Sequence, residues 1–170
     1  STQQAAYFEK HQQSLLAAYV AQERQAGVRI LLENDHFVAL VPFWAVWPYE
    51  AMIVPLRPQQ HIGQMTGAEK EAFAAILKAL TIRFDNVFQT SFPYSAGIHQ
   101  APTDGREQAA WHWHMSFYPP LLRSATVKKF MVGYEMFGES QRDITPEQAA
   151  DTLRRASAVH YKKRVGGLGQ

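Results

Sequence analysis

Three short apolar runs follow one another between Val28 and Pro55, separated only by clusters of turn residues. Each run has the length of a strand and is rich in β-branched and aromatic residues. Parallel neighbours need a crossover of about a dozen residues or more, whereas the links here are shorter, so antiparallel pairing is favoured. We therefore predict strands near residues 28–32, 37–41 and 51–54.

Helical patterns lie on either side of these strands. A capping box at Thr66 opens a long amphipathic helix. Thr145, with Pro146 after it and Gln148 as its capping partner, opens another that is expected to run to about residue 161. Apolar spacing predicts an N-terminal helix over 7–25 and extended segments over 94–100, 111–117 and 130–135. This order lacks the regular strand-helix alternation of a parallel doubly wound sheet, so we predict an α+β fold with one antiparallel sheet and flanking helices.

The composition limits the class of protein. With 170 residues, 46% of them hydrophobic, the chain can bury one core, which we place in a domain over 1–163 followed by a flexible tail over 164–170. A formal net charge of +2 is too small for a general nucleic-acid or membrane-surface binder, and no apolar run is long enough to span a bilayer. The first residues lack the basic-then-apolar layout of a secretory signal, so we expect a cytoplasmic protein.

The segment from Trp111 to Phe117 carries polar residues in a pattern that suits a site. His112, His114 and Ser116 alternate with apolar residues, and in a strand residues two apart share a face, so their side chains should point the same way. The chain contains no cysteine, which excludes disulfides, thiolate ligands and a cysteine nucleophile within it. Any metal must therefore use His, Asp or Glu.

Long stretches of the chain resemble one known family. They are the run YPPLLRSATVKKFMVGYEM over 118–136, the QRD that follows at 141–143, and the motifs WAVWP at 44–48 and SFPYS at 91–95. The resemblance is to the C-terminal half of galactose-1-phosphate uridylyltransferases and extends over nearly the whole chain. That family belongs to the histidine-triad superfamily and is similar to two fused triad-type domains, of which this chain resembles the second. Residues 112–116 stand where the superfamily has its repeated-histidine run.

The resemblance implies a reaction that moves a uridylyl group from UDP-glucose to galactose 1-phosphate through a covalent uridylyl-histidine, giving UDP-galactose. The family's nucleophile lies in a His-Pro-His motif, but none of the seven histidines here is followed by proline. The sequence therefore predicts the second, substrate-binding half of such an enzyme, inactive alone. One alternative is a free-standing triad-like nucleotide-binding protein or hydrolase that uses His114, and a weaker one is a non-catalytic interaction module.

The resemblance also implies which residues meet the hexose-phosphate part of the substrate. They are Lys129, Phe130, Val132, Gly133, Tyr134, Glu135 and Gln141. An ammonium suits phosphate, and a carboxylate and an amide suit sugar hydroxyls. Without the resemblance, a solvated basic loop followed by an ordinary strand would be the favoured interpretation.

A zinc or iron site with ligands at His99 and His114 is implied as well. The family's other two ligands are a histidine at the position of Ser116 and a glutamate just ahead of Ser1, so both are missing from this sequence. A hydroxyl is a poor substitute for imidazole on zinc or iron. His112 on the same strand face is a candidate replacement, and the alternative is that His112 and His114 are hydrogen-bonded strand residues with no metal.

Aromatic residues concentrate over 43–49, which reads FWAVWPY. Such a stretch can stack on nucleic-acid bases, but no basic groove accompanies it. A core or subunit interface is the better interpretation, since the resembled family is dimeric with an active site shared between subunits and aromatic residues are enriched at interfaces. We expect a homodimer that binds UDP-glucose or UDP-galactose and hexose 1-phosphate, and neither nucleic acid nor membrane.

Overall fold

A computed structural model describes residues 2–106, 108–130, 133–140 and 142–165. Its centre is a five-stranded sheet in the order β1-β2-β3-β5-β4, and every neighbouring pair is antiparallel. The prediction of an α+β fold with one antiparallel sheet is confirmed. The strands are β1 (Ile30–Glu33), β2 (Phe37–Leu40), β3 (Ala51–Pro55), β4 (Ser95–His99) and β5 (His114–Tyr118).

Helices flank the sheet, as expected. Two of them begin at the predicted capping boxes: Thr66 and Glu69 bond each other's backbone N–H at the start of α3, and Thr145 and Gln148 do the same at the start of α5. The helices are α1 (Thr2–His11), α2 (Leu15–Ala26), α3 (Gly67–Phe88), α4 (Gly133–Phe137), α5 (Pro146–Arg155) and α6 (Tyr161–Val165), with a 3₁₀ turn at Ile62–Gln64.

The two faces of the sheet bury different clusters. One face packs against α3 and α5 and carries the larger core. This core includes Trp113, which lies just before β5, and Phe117, which lies within β5. The other face packs against α2 through a smaller cluster that includes Val20 and Met52. Because side chains alternate along a strand, the histidines that neighbour Trp113 are directed toward α2 rather than into the larger core.

The single N-terminal helix predicted over 7–25 is wrong. Gln12 adopts a positive φ of 53°, which ends α1 at His11, and Ser14 then caps a separate helix α2. Gly27 ends α2 in the left-handed conformation, as the sequence indicated. The chain therefore places a helix N-cap beside the sheet, where an unbroken helix would have placed a helix interior.

The last predicted helix also ends earlier than expected, at Arg155 instead of near residue 161. The cause is Asn86 of α3, whose amide donates to the carbonyls of Ser157 and Val159 and accepts from the N–H of Tyr161. These bonds hold the segment in a non-helical path before α6. The domain boundary at residue 163 stays a prediction, and residues 166–170 lie outside the described part of the chain.

Two of the predicted extended segments have other bounds in the structure. The strand predicted over 111–117 begins only at His114, because the Trp113 N–H donates to the carbonyl of Gln59 outside the ladder. The extended segment predicted over 130–135 is wrong from Gly133 onward, where α4 begins. Glu135 bonds Lys129 across 2.9 Å, whereas six residues of strand would separate them by roughly 20 Å.

Across the residues that the structure describes, no helix combines the length and the apolar character that crossing a membrane requires.

Candidate functional site

His112 is a buried, fully bonded histidine. Its Nε2 lies 2.8 Å from the carbonyl oxygen of Pro55, and its Nδ1 lies 3.1 Å from the hydroxyl of Ser14. A carbonyl oxygen only accepts, so Nε2 carries the proton and Nδ1 accepts from the Ser14 hydroxyl. Ser14 in turn accepts from the N–H of Ala17 as the N-cap of α2. The bonds therefore assign one neutral tautomer to His112.

Both nitrogens of His112 are thus engaged within the protein. Burial lowers the pKa of His112 to about 4, so the ring is neutral at physiological pH. A metal ligand needs a free ring nitrogen, and neither nitrogen of His112 is free. In this structure Ser14 and Pro55 therefore occupy both nitrogens of His112, whereas the replacement of a missing ligand by His112 and the metal-free alternative both stay predictions.

His99 and His114, the two ligands that the resemblance implies, lie side by side in the structure; that they bind a metal stays a prediction. They are register partners on β4 and β5, and their rings stack with centroids 4.9 Å apart and planes 17° from parallel. The Nδ1 of His114 lies 3.4 Å from the carbonyl oxygen of His112, and burial lowers the pKa of His114. Nitrogen lone pairs lie in the ring plane, so rings stacked face to face do not aim both pairs at one point.

Ser116 follows His114 on the same strand face and is buried, opposite Met52 and Gly97 in neighbouring strands. Among the described residues, no cluster of three or more His, Asp or Glu side chains could hold a metal ion. Two stacked imidazoles and one hydroxyl do not make a zinc or iron site by themselves.

The second group of predicted residues lies after β5, on a loop closed by an isolated bridge between Leu121 and Lys128. Lys129 follows the bridge, and its Nζ lies 2.9 Å from a carboxylate oxygen of Glu135 and 3.0 Å from one of Asp143. These two partners raise the pKa of Lys129. The structure therefore joins two of the predicted substrate residues and adds Asp143 to them.

Lys129 and Glu135 face a cavity of about 190 Å³ together with Trp47, Glu50 and Tyr118. Val46 and Ser140 complete its lining. Trp47 and Tyr118 also line a neighbouring cavity of about 380 Å³ that Phe130 borders. The aromatic stretch at 43–49 therefore contributes to the site, a role that the sequence did not predict.

The other predicted substrate residues are more exposed or lie outside the description. Phe130 and Tyr134 expose 60% and 51% of their surface, and the Tyr134 hydroxyl donates to Glu139. Gly133 opens α4. Val132 and Gln141 lie outside the described residues.

Sequence reasoning missed Glu50, although one signal was present. Glu50 stands directly before the apolar run of β3, where a charged residue is out of place. Asp143 carried no such signal, because only folding brings it to Lys129 from the segment that precedes α5.

Comparison with known proteins identifies relatives along most of the chain. A family model described as the galactose-1-phosphate uridyl transferase C-terminal domain matches residues 1–165. The galactose-1-phosphate uridylyltransferase of Haemophilus influenzae is 50% identical over 159 residues, covering 94% of this chain and 46% of that protein. The chain therefore spans about half the length of the curated relatives it matches.

Solved structures give a consistent picture. A uridylyltransferase mutant aligns with a TM-score of 0.79 and 28% identity over 90% of this chain and 50% of its own. A zinc-bound histidine triad family protein from Mycobacterium smegmatis aligns with a TM-score of 0.53 and 13% identity over 83% of this chain and 90% of its own. At that identity the second match concerns the fold alone, and it agrees with the predicted triad-like sheet.

Proposed function

Since this chain belongs to the family of galactose-1-phosphate uridyl transferase C-terminal domains, we propose that it is the hexose-phosphate-binding half of a uridylyltransferase. The parent enzyme exchanges a uridylyl group between UDP-glucose or UDP-galactose and a hexose 1-phosphate. The observation that carries the proposal is the cavity in which Lys129 and Glu135 lie together beside two aromatic rings. Carboxylates accept from sugar hydroxyls, and aromatic faces pack on the apolar faces of a sugar ring.

The charges around Lys129 decide which part of the substrate suits this cavity. The carboxylates of Glu135 and Asp143 carry two negative charges and the ammonium between them one positive charge, so the three groups have a net negative charge. A phosphate entering the cavity would gain little from so fully paired an ammonium. The cavity therefore suits the uncharged ring of the hexose, and the phosphate charge is met mainly by groups elsewhere in the enzyme.

The proposal assigns the covalent step to the other half of the parent protein. Uridylyl transfer through a histidine needs a neutral imidazole in line with the phosphorus and donors for the phosphate oxygens. The family's His-Pro motif is absent from this sequence. The alternative in which His114 acts as the nucleophile of a free-standing hydrolase is not favoured, because relatives matched over nearly the whole of this chain are uridylyltransferases of about twice its length.

A homodimer and a cytoplasmic location are part of the same proposal. Exposed apolar side chains cluster around α4, where Met136 and Phe137 expose 63% and 90% of their surface. In sequence they follow Phe130 and Tyr134 of the predicted site closely. Contiguous exposed apolar residues mark interaction surfaces, which supports a subunit contact beside the substrate.

A zinc or iron ion is part of the proposal only if residues beyond those described supply further ligands. His99 and His114 would supply two imidazoles, and the remaining donors would come from beyond the described residues. No chemical step is assigned to such an ion.

The test compares two neighbouring lysines in the full-length gene product. Lys129→Met removes the ammonium that orients Glu135, whereas Lys128→Met removes an exposed charge next to it. We expect Lys129→Met to weaken binding of hexose 1-phosphate at least about tenfold by isothermal titration calorimetry, and Lys128→Met to change it less than about twofold. Equal effects of the two variants would mean that the loop acts only as a solvated basic segment.

A further inference from the structure

The cavity that holds Lys129 and Glu135 contains a third charged group, Glu50. This residue precedes β3 and exposes only 8% of its surface. Its Oε2 accepts from the backbone N–H groups of Val46 and Trp47, at 3.3 and 3.4 Å. Its other carboxylate oxygen, Oε1, has no hydrogen-bond partner in the part of the chain that the structure describes. One oxygen of Glu50 is therefore held by the protein and one is left for another donor.

The unpartnered oxygen of Glu50 is open to the cavity. Among the described residues, the buried side-chain nitrogen or oxygen without a hydrogen-bond partner belongs to Arg83, so Oε1 of Glu50 is not sealed in the interior. Burial of the carboxyl raises the pKa of Glu50, and the two backbone hydrogen bonds and the charge of Arg142 offset this only in part. A ligand hydroxyl in the cavity can therefore donate to Oε1.

We propose that Oε1 of Glu50 accepts a hydrogen bond from a ring hydroxyl of the bound hexose, which makes Glu50 a specificity-determining residue of this cavity. The inference rests on the proposed function and deepens it, since it names the part of the substrate that the cavity holds. With Glu135 on the same cavity, two carboxylates face one ring. A sugar that lacks this hydroxyl would then lose the hydrogen bond to Oε1 of Glu50.

The size and the walls of the cavity agree with a sugar ring. Its volume of about 190 Å³ is below the ~300–1,000 Å³ of sites that enclose drug-sized ligands, so it does not enclose a whole nucleotide sugar. The walls include the rings of Trp47 and Tyr118, which offer an apolar face to the C–H groups of a pyranose. Glu50 and Trp47 come from one turn, so the loop that places the aromatic wall also places the acceptor.

The test uses Glu50→Gln in the full-length gene product. The amide oxygen of glutamine can still accept from Val46 and Trp47, so the loop keeps its hydrogen bonds while the second oxygen becomes an NH₂ group. Glu71→Gln, on the exposed side of α3, is the matched control. We expect Glu50→Gln to weaken binding of hexose 1-phosphate at least about tenfold and to leave binding of inorganic phosphate unchanged. Glu71→Gln should change neither.

The outcomes separate this inference from the proposed function. If Glu50→Gln binds hexose 1-phosphate like the wild type while Lys129→Met binds it weakly, Glu50 is not a sugar contact and the proposed function stands. If the wild type does not bind hexose 1-phosphate, both fall.

If Glu50→Gln fails to fold, the test instead measures the binding of a series of ligands to the wild-type protein. Each ligand is a hexose 1-phosphate that lacks one ring hydroxyl. We expect strongly reduced affinity when the missing hydroxyl is at one or two particular ring positions, and nearly unchanged affinity for the others. Equal binding of the whole series would overturn the role of Glu50.

Discussion

The hydroxyl of Ser14 donates to Nδ1 of His112 across 98 residues of sequence, at 3.1 Å. The same hydroxyl accepts from the N–H of Ala17, so one side chain both caps α2 and sets the tautomer of a buried histidine. The Nε2 of His112 then donates to Pro55 at the end of β3. This chain of bonds ties α2 to β3 and to the segment just before β5, and burial keeps His112 neutral.

The neutral state of His112 predicts a loss of stability in mild acid. Below its ordinary pKa of about 6.5 the histidine of the unfolded chain takes up a proton, whereas the folded protein resists until about pH 4. Stability from this group is therefore fully present above pH 6.5 and is lost as the pH falls toward 4, by about 3 kcal/mol in total. Urea denaturation at a series of pH values measures the slope.

His112→Gln removes the titrating group and should flatten this pH dependence, although it lowers stability at pH 7. His11→Gln, at the exposed end of α1, should leave the slope as it is. An unchanged slope in His112→Gln would show that another group causes the acid sensitivity.

Ser14→Ala should cost more than an ordinary N-cap substitution. It removes the cap of α2, worth about 1 kcal/mol, and leaves the buried Nδ1 of His112 without a donor, which costs about 1–3 kcal/mol more. Thr145→Ala is the matched control because Thr145 caps α5 without reaching a buried group. Chemical denaturation at pH 7 compares them, and equal losses would mean that Ser14 acts only as a cap.

Ser116→His should create a metal site that the described residues lack. The new imidazole would join His99 and His114 once their rings turn out of the stack. Opposite position 116 the ladder is open, since no heavy atom lies within 4 Å of a Cβ placed on Gly97. We expect zinc binding by isothermal titration calorimetry in Ser116→His and its loss when His99→Ala is added. Equally tight binding to the unsubstituted protein would mean that donors outside the described residues already complete the site.

Glu69 should contribute an ion pair that survives strong acid. Hydrogen bonds from Arg57 lower the pKa of Glu69 to about 2. The contribution is therefore present above the ordinary pKa of about 4.5 and is lost as the pH falls toward 2. Glu69→Gln keeps the capping box but loses the charge, and we expect a loss of about 1–2 kcal/mol at pH 7, reduced because Arg57 is half exposed. Glu71→Gln should cost almost nothing in the same denaturation experiment.

Phe137 tests the proposed subunit contact. It is 90% exposed on α4, and burying such a ring between subunits would stabilise a dimer. Phe137→Ser should shift the full-length gene product toward monomer in light scattering at several concentrations. Val159→Ser, which changes another exposed apolar residue between α5 and α6, should not. A dimer unaffected by Phe137→Ser would place the interface elsewhere.

Local patterns determined much of the fold. The capping boxes at Thr66 and Thr145 predicted the starts of α3 and α5, since a cap depends only on neighbouring residues. The short links between apolar runs predicted antiparallel pairing, because the connection length limits the topology. The family resemblance identified Lys129 and Glu135 as candidate substrate residues, and in the structure both line one cavity. That they bind a hexose stays a prediction.

Contacts between distant segments decided what the local patterns left open. The alternation of His112, His114 and Ser116 gave the shared strand face, but the fate of His112 depended on Ser14 and Pro55, which lie 98 and 57 residues away. In the same way α5 ends earlier than predicted, because Asn86 of the distant α3 binds the segment that follows it. Side-chain direction follows from the period of a strand, whereas hydrogen-bond partners, burial and pKa depend on which surfaces meet. The sequence alone therefore determined the order of the strands and the starts of two helices and, through the resemblance, the candidate residues. Only the tertiary structure decided where other helices break, which nitrogens are occupied, and that Glu50 shares a cavity with Lys129.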